Sequence, residues 1–227
     1  MQIKDCFNKA ANQYDSHCQL QLHTGERLIG LIEPADKVID LGCGSGITTC
    51  KLKYKKLYAL DIADKLLEKA KIRLSDNDVT FLEDSFDNFS GLKLDLAFAN
   101  MSLQWSDDLK FTLANIKANL NPQGVLAFSI PLVGTFANIK ASRMSFYSIK
   151  QIKELLEDWQ IIHSEIEEIS YVFPSLVDSL RSIKAIGANY CKESSGRLIS
   201  RDKTAHSLKY SIGYFVVKRL DLNYIDI

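Results

Sequence analysis

The stretch VIDLGCGSG, residues 38–46 of the 227-residue chain, decides its fold. A run of β-branched and aliphatic residues ends in an acidic residue and a Gly-x-Gly-x-Gly turn, and this pattern predicts a strand, a tight loop and then a helix. Gly42, Gly44 and Gly46 admit positive φ angles and let a ligand approach the main chain without meeting a Cβ atom. The sequence therefore predicts a ligand-binding loop at the end of a strand.

The segments outside this loop alternate between short apolar runs and helical patterns, which is typical of βαβ units and a parallel sheet. The patterns predict strands at 37–41, 57–61, 79–82, 94–100, 124–130 and 210–217, an extended segment at 161–171, and helices at 63–74, 106–120, 147–159 and within 175–188, after a helical segment at 1–33. Residues 121–124, Asn-Pro-Gln-Gly, predict a helix stop and a turn. We therefore expect a doubly wound, Rossmann-like α/β fold with a mostly parallel seven-stranded sheet and an antiparallel last strand.

The chain is predicted to form one domain, residues 1–227. Its parts are an N-terminal helical cover (1–33), a cofactor-binding core (36–130), substrate-side lid elements (131–209) and the final strand (210–218). A hydrophobic content of 46% with 25% charged residues is ordinary for a globular protein. The polar N-terminus predicts no signal peptide, and the longest apolar stretch, residues 125–137, is too short to span a membrane. Five cysteines without a Cys-x-x-Cys pair predict reduced thiols in the cytoplasm, and the histidine spacing predicts no metal site.

Acidic residues follow three consecutive predicted strands. Asp40 precedes the glycine turn, where a carboxylate suits a ligand with an ammonium group and not a pyrophosphate. Asp61 ends the second strand, where a carboxylate can accept both hydroxyls of a ribose, and Glu83-Asp84-Ser85-Phe86 follows the third, where an acid beside an aromatic suits an adenine. Each acid alone could be a strand-end cap. Together, at the edge where such sheets bind ligands, they indicate an adenosyl ligand without phosphates, S-adenosylmethionine.

This pattern resembles the class I methyltransferases, whose core motifs residues 36–130 cover. The flanking segments show a narrower resemblance: AANQYD at 10–15, NMSLQW at 100–105 and LRSIKAIGAN at 180–189 are similar to the biotin-pathway malonyl-[acyl-carrier protein] O-methyltransferases, the BioC family. The resemblance spans nearly the whole chain. The stretches 134–147 and 200–210 are shorter than is usual in that family, in regions where a substrate cover would be built.

The resemblance implies transfer of the donor's methyl group to the free carboxylate of a malonyl thioester on acyl carrier protein, with S-adenosylhomocysteine as product. The expected cofactor-binding residues are Asp40, Gly42, Cys43, Gly44, Gly46, Asp61, Ile62, Asp84, Ser85, Asn100 and Gln104. Arg181 is the expected partner of the substrate carboxylate, with Arg143 and Arg197 behind it, because the guanidinium fork matches two oxygens. Tyr14 is the expected lid over the methionine part. Arg181 could instead be a surface charge, and Tyr14 a core aromatic.

The C-terminal third is basic although the whole chain has zero net charge. Residues 179–220 hold nine Lys or Arg against two acids, a net charge of seven. Such a surface suits docking of an acidic carrier protein, and an ordinary solvated surface is the alternative. The expected substrate- and partner-binding residues are Arg143, Lys184, Lys192, Arg197 and Lys203. Malonyl-CoA as an acceptor and the oligomeric state stay open.

Four other functions fit the sequence less well. A methyltransferase for another small carboxylate or a quinone-type acceptor would lack a reason for the 180–189 segment. A non-catalytic ligand-binding relative would not need Asp40, the glycine loop and Asp61 together. A nicotinamide dehydrogenase is disfavoured by the Gly-x-Gly-x-Gly spacing. Zero net charge and the lack of an Asn-Pro-Pro-aromatic motif weigh against nucleic acid as a substrate, and no membrane partner is expected.

Overall fold

The computed structural model describes residues 3–75, 78–137, 139, 145–188 and 204–220. Within these ranges the helices are α1 (Ile3–His17), α2 (Gln19–Ile29), α3 (Asp64–Arg73), α4 (Leu109–Asn119), α5 (Ile149–Leu155) and α6 (Leu176–Ala185). The strands are β1 (Lys37–Leu41), β2 (Lys56–Asp61), β3 (Val79–Glu83), β4 (Leu94–Asn100), β5 (Leu120–Pro131), β6 (Trp159–Phe173) and β7 (His206–Arg219).

The strands form one seven-stranded sheet in the order β3-β2-β1-β4-β5-β7-β6. The five strands from β3 to β5 in sheet order, β3, β2, β1, β4 and β5, are parallel, whereas β7 runs antiparallel to both β5 and β6. The predicted fold class, a mostly parallel sheet with an antiparallel last strand, is confirmed. The last strand in sequence is not the last in space, because β7 inserts between β5 and β6.

Apolar side chains cover both faces of the sheet, as the near-continuous apolar strands require. On one face α4 and α5 pack against a cluster that includes Ile39, Leu41 and Phe128. On the other face α2, α3 and α6 pack against a second cluster that includes Val38, Leu57 and Phe98. Helices on both faces leave the carboxyl ends of β1, β2 and β4 as the open edge.

The prediction of a helix directly after the glycine loop is wrong. In its place the chain makes a single 3₁₀ turn, Thr49–Lys51, before β2 begins at Lys56. Only nine residues separate Gly46 from β2, and the first three, Ile47 to Thr49, are β-branched and poor helix formers. The connection is therefore too short for a full helix to cross back over the sheet.

Other boundaries differ because of local capping and pairing. The helix expected at 106–120 begins at Leu109, since the Asp108 side chain accepts a hydrogen bond from the Phe111 N–H and caps it. The helix expected at 147–159 is the shorter α5, which Ser148 begins with a capping box. The turn expected at 121–124 lies inside β5, which pairs with β4 on both sides of a register shift, and Gln123 keeps a turn-like φ of 67°.

Candidate functional site

A cavity lies at the carboxyl ends of β1, β2 and β4, beneath α1. We call it the donor cavity. Its volume is about 70 Å³, below the 300–1,000 Å³ of typical ligand pockets. It is lined by Ile3, Phe7, Tyr14, Gly42, Gly44, Leu60, Asp61, Ile62, Leu66, Phe86, Asn100, Met101, Ser102 and Trp105. The structure thus brings five of the eleven expected cofactor residues to one cavity: Gly42, Gly44, Asp61, Ile62 and Asn100.

The glycine loop forms one wall of this cavity with its bare backbone. At Gly42, where φ is 82°, a Cβ atom would lie 2.6 Å from the Cβ of Ser102. The Ser102 hydroxyl donates to the Leu41 carbonyl oxygen over 2.6 Å and so ties β1 to the segment after β4. At Gly44, where φ is 57°, a Cβ atom would point at the Tyr14 hydroxyl, 3.6 Å away. A Cβ atom at Gly44 would therefore make ordinary contact with Tyr14, and it is the left-handed φ that favours glycine there.

Asp61 holds this loop in place and also faces the cavity. Its Oδ2 accepts from the Gly44 N–H over 2.8 Å, and its Oδ1 accepts from the Ala63 N–H over 2.8 Å. Burial raises the pKa of Asp61, and the backbone hydrogen bonds oppose that shift. A carboxylate offers about four acceptor positions, and the backbone N–H of Ile62 also contributes, so at least one position is left for a ligand hydroxyl. The carboxylate can therefore accept a ribose hydroxyl while it holds the loop.

Asp40 lies behind the glycine loop and does not line the donor cavity. It is 2% exposed, and its Oδ2 accepts from the Thr49 hydroxyl over 2.6 Å. Burial raises the pKa of Asp40 to about 7, with a smaller contribution from the charge of Asp61. The expected contact between Asp40 and a ligand ammonium stays a prediction. In this arrangement Asp40 can act on a cation through the field across the loop.

The remaining expected cofactor residues lie around the cavity. Cys43 is buried and Gly46 packs against α3, while Asp84 accepts from the Ser85 N–H at the end of β3. The Asn100 side chain uses three of its four hydrogen-bonding positions, because its Oδ1 accepts from Thr24 and Ser129 and its Nδ2 donates to the Gln21 carbonyl oxygen. Asn100 therefore fastens α2 to the sheet and keeps one side-chain N–H.

Helix α1 closes the donor cavity from above. Tyr14 and Phe7 reach down from it, and Phe7 packs edge-on against Trp105 with ring centroids 5.7 Å apart. Burial raises the pKa of Tyr14 far above its usual range, so its hydroxyl is a neutral hydrogen-bond donor. Tyr14 thus lies where the sequence predicted a lid, over Gly44.

Hydrogen bonds among Asp15, Ser45 and Arg73, which we call the latch, hold α1 on the loop. These three residues were not among the expected site residues. Asp15 accepts from the Ser45 hydroxyl over 2.5 Å and from Arg73 of α3 over 2.9 Å, and Arg73 also donates to the Ser45 carbonyl oxygen. Burial favours a higher pKa for Asp15, but the hydrogen bonds from Ser45 and Arg73 outweigh it and lower the pKa. The signal for this latch was the acid beside Tyr14, on the helix face that carries Ala10 and Ala11.

A second cavity, which we call the acceptor chamber, adjoins the donor cavity and shares Phe7, Tyr14, Met101 and Trp105 with it. The other residues lining it are Leu20, Gln21, Gln104, Pro131, Thr135, Phe136, Phe146, Ile183, Ile186, Ala188 and Tyr210. Within the described part of the chain, none of its lining side chains is charged. Burial also raises the pKa of Tyr210 far above its usual range, which leaves a neutral phenol on this wall. The chamber therefore offers an apolar space with neutral polar groups.

Arg181 and Lys184 lie on α6, at a surface groove of about 850 Å³ between α6 and α1. The Arg181 side chain is 74% exposed and pairs with Asp178 over 3.1 Å. It lines this groove and is absent from the described lining of the acceptor chamber, so its role toward a carboxylate stays a prediction. The other expected partner residues, Arg143, Lys192, Arg197 and Lys203, lie outside the described residues.

Neither a metal site nor a membrane span was found in the searched part of the chain. Across residues 3–75, 78–137, 139, 145–188 and 204–220, His, Cys, Asp and Glu side chains form no group of three that could hold a metal ion. None of the helices within the same ranges has both the length and the hydropathy that a bilayer crossing requires.

Comparisons with known proteins agree with this geometry. Residues 39–128 match the family model described as a methyltransferase domain. The chain is 35% identical to malonyl-[acyl-carrier protein] O-methyltransferase 2 of Coxiella burnetii, with 96% of each chain covered. It is 31% identical to the malonyl-[acyl-carrier protein] O-methyltransferase of Anoxybacillus flavithermus, over 86% of this chain and 82% of that one. The fold matches N-methyltransferase NodS of Bradyrhizobium japonicum in complex with S-adenosylhomocysteine, with a TM-score of 0.57, 16% identity, and 91% and 87% of the two chains covered.

Proposed function

Because this chain belongs to the malonyl-[acyl-carrier protein] O-methyltransferase family, we propose that it methylates the free carboxylate of a malonyl group on acyl carrier protein. The methyl donor in this proposal is S-adenosylmethionine, and the reaction is an early step of biotin synthesis in the cytoplasm. The observation that carries the proposal is the donor cavity, in which a glycine loop and a buried acid meet as an adenosyl ligand requires. Residues 1–33 act as its cover, 36–130 as its core and 131–209 as the substrate side.

The residues of the donor cavity fit an adenosyl donor. Asp61 accepts a ribose hydroxyl, Ile62 and Phe86 contact the adenine, and the Gly44 backbone and Tyr14 hold the methionine part. When bound, the donor supplies an electrophilic methyl group on a sulfonium sulfur. Asp61 places negative charge beneath that cation, and a bound cation would favour the ionised form of Asp40, whose pKa burial raises to about 7. Asp84 and Ser85 are proposed to shape the adenine end from the β3 terminus.

In this proposal the acceptor chamber orients the substrate carboxylate and excludes water from it. The substrate carboxylate has a pKa near about 4 and is already ionised at neutral pH, so the protein needs no general base. Aligning the carboxylate oxygen with the methyl group can supply roughly 7–11 kcal/mol of the barrier reduction. Tyr14 and Tyr210, which burial keeps protonated, are neutral donors for the substrate oxygens. Apolar walls such as Phe136 and Trp105 exclude water from the reaction.

We propose that the carrier protein docks at the groove between α1 and α6. Lys9, Arg181 and Lys184 give this groove a cationic rim, which suits an acidic partner. Long-range attraction of this kind raises the association rate and is screened over roughly 8–10 Å at physiological salt. Lys192, Arg197 and Lys203 extend the same charge in sequence.

The decisive experiment incubates the protein with donor and with malonyl-, succinyl- or acetyl-loaded carrier protein, and detects methyl esters by mass spectrometry. We expect a methyl ester on the malonyl form and none on the acetyl form, which has no free carboxylate. A malonyl-CoA reaction tests whether the carrier protein is required. Methylation of succinyl carrier protein alone would indicate another small carboxylate as substrate, and donor binding without turnover on any acceptor would contradict the proposal.

A further inference from the structure

A connected route leads from the protein surface to the acceptor chamber. A passage of about 250 Å³ shares His17, Phe173 and Ser182 with the surface groove. At its inner end the same passage shares Leu20, Gln21 and Tyr210 with the acceptor chamber. A flexible arm attached to a partner docked at the groove could therefore reach the donor cavity between α1, α2 and α6.

A buried amide oxygen on this route has no partner. The Gln104 Nε2 donates to the Met101 carbonyl oxygen over 2.7 Å, which fixes the orientation of the side-chain amide. Gln104 lines the acceptor chamber, and its Oε1 is buried and accepts no hydrogen bond from the residues that the structure describes. Buried acceptors in native proteins are almost always satisfied by the chain, by water or by a bound molecule, so this oxygen is available to a donor group on a molecule in the chamber.

Gln21, which lies nearer the surface groove, also has a buried amide oxygen without a partner among the described residues. Gln21 lines both the acceptor chamber and the passage. Two amide oxygens therefore follow each other along one route. Both can accept an N–H or O–H donor from outside the described part of the chain.

The substrate's reactive end cannot supply such donors. An ionised carboxylate and a thioester carbonyl only accept hydrogen bonds. A pantetheine arm carries two secondary amides between the thioester and the carrier protein, and each has one N–H. The methyl donor carries N–H and O–H groups as well, on its ammonium, adenine and ribose, but neither glutamine is among the residues lining the donor cavity.

We propose that Gln104 and Gln21 accept hydrogen bonds from the two amide N–H groups of an acylated pantetheine arm, Gln104 from the amide nearer the thioester. This inference rests on the proposed function and gives the glutamines a role in substrate specificity. They select thioesters that carry the arm and set how far it enters.

The test uses three soluble malonyl thioesters: malonyl-pantetheine with two amides, malonyl-N-acetylcysteamine with one, and malonyl ethyl thioester with none. We expect Gln104→Met, which keeps the side-chain length, to lower kcat/KM about three- to ten-fold for both amide-bearing substrates. The ethyl thioester should react equally well with the wild type and the variant. Gln21→Met should affect malonyl-pantetheine alone. Gln160→Met, at an exposed position on β6, is the matched control and should change nothing.

Two readings besides activity keep the test decisive. An equal loss on all three thioesters would reduce Gln104 to a structural residue, and a lower affinity for S-adenosylhomocysteine in calorimetry would assign its oxygen to the methyl donor; either result overturns the inference. If the wild type methylates none of the thioesters, malonyl-loaded carrier protein is the next acceptor: turnover on it shows that the carrier protein is required, and no turnover on it means that the proposed function fails. Calorimetry of unacylated pantetheine with the S-adenosylhomocysteine complex then decides the inference alone, because equal binding by the wild type and Gln104→Met contradicts it.

Discussion

Replacing Asp61 should damage both the fold and the donor site. In Asp61→Ala the N–H groups of Gly44 and Ala63 lose their acceptor, and each buried, unsatisfied donor costs about 1–3 kcal/mol. Removing a buried carboxylate with a raised pKa returns part of that cost. We expect the free energy of unfolding to fall by about 2–4 kcal/mol, and donor affinity to fall by at least about 1.5 kcal/mol through the lost ribose contacts.

Urea denaturation and calorimetry with S-adenosylhomocysteine measure the two effects separately. Asp61→Asn, which keeps one acceptor oxygen, should lose about half as much stability. Asp36→Ala, at an exposed ion pair with Lys55, is the control and should stay within about 0.5 kcal/mol of the wild type. An Asp61→Ala variant as stable as the wild type would refute the idea that this carboxylate holds the glycine loop, whatever its effect on binding.

Three further predictions concern the loop, the buried acid and the latch. Gly44→Val should abolish S-adenosylhomocysteine binding in calorimetry, because a β-branched residue strains a φ of 57° and fills the space below Tyr14; normal binding would place the donor elsewhere. Asp40 has a folded-state pKa of about 7 against about 3.9 in the unfolded chain, so its contribution to stability declines as pH rises between those values. The free energy of unfolding of Asp40→Asn should therefore gain roughly 1–4 kcal/mol over that of the wild type between about pH 5 and pH 8, measured by urea denaturation without donor. A difference that stays constant with pH would contradict this. Asp15→Asn should accelerate proteolysis within α1 while the sheet stays folded, and unchanged cleavage would show that the latch does not hold the helix.

The parallel core was predictable because its signals are local. Apolar runs with β-branched residues define β1 to β4, and the strand ends place Asp61 at the open edge. The missing helix after Gly46 was not predictable from the glycine motif. Its absence depends on how many residues remain before β2 and on how the 3₁₀ turn packs, which is tertiary information.

The site was predictable only where a residue's position at a strand end is enough to indicate its contact. Asp61 was expected to face the ribose, but its hold on the Gly44 N–H depends on a loop geometry that the sequence does not state. Gln104 was grouped with the cofactor residues from its motif, whereas its side chain lines the acceptor chamber. The Asp15–Arg73 pair joins residues 58 positions apart and has no local pattern.

The placement of α1 leads to an expectation about the order of events in a catalytic cycle. Because Tyr14 and Phe7 border both the donor cavity and the acceptor chamber, a movement of this helix would open both compartments. We expect a bound arm to keep α1 in place, so that the spent donor leaves after the methylated arm has withdrawn. Steady-state kinetics should then be ordered, with S-adenosylmethionine first on and S-adenosylhomocysteine last off, and release of the product would limit turnover more than the methyl transfer does.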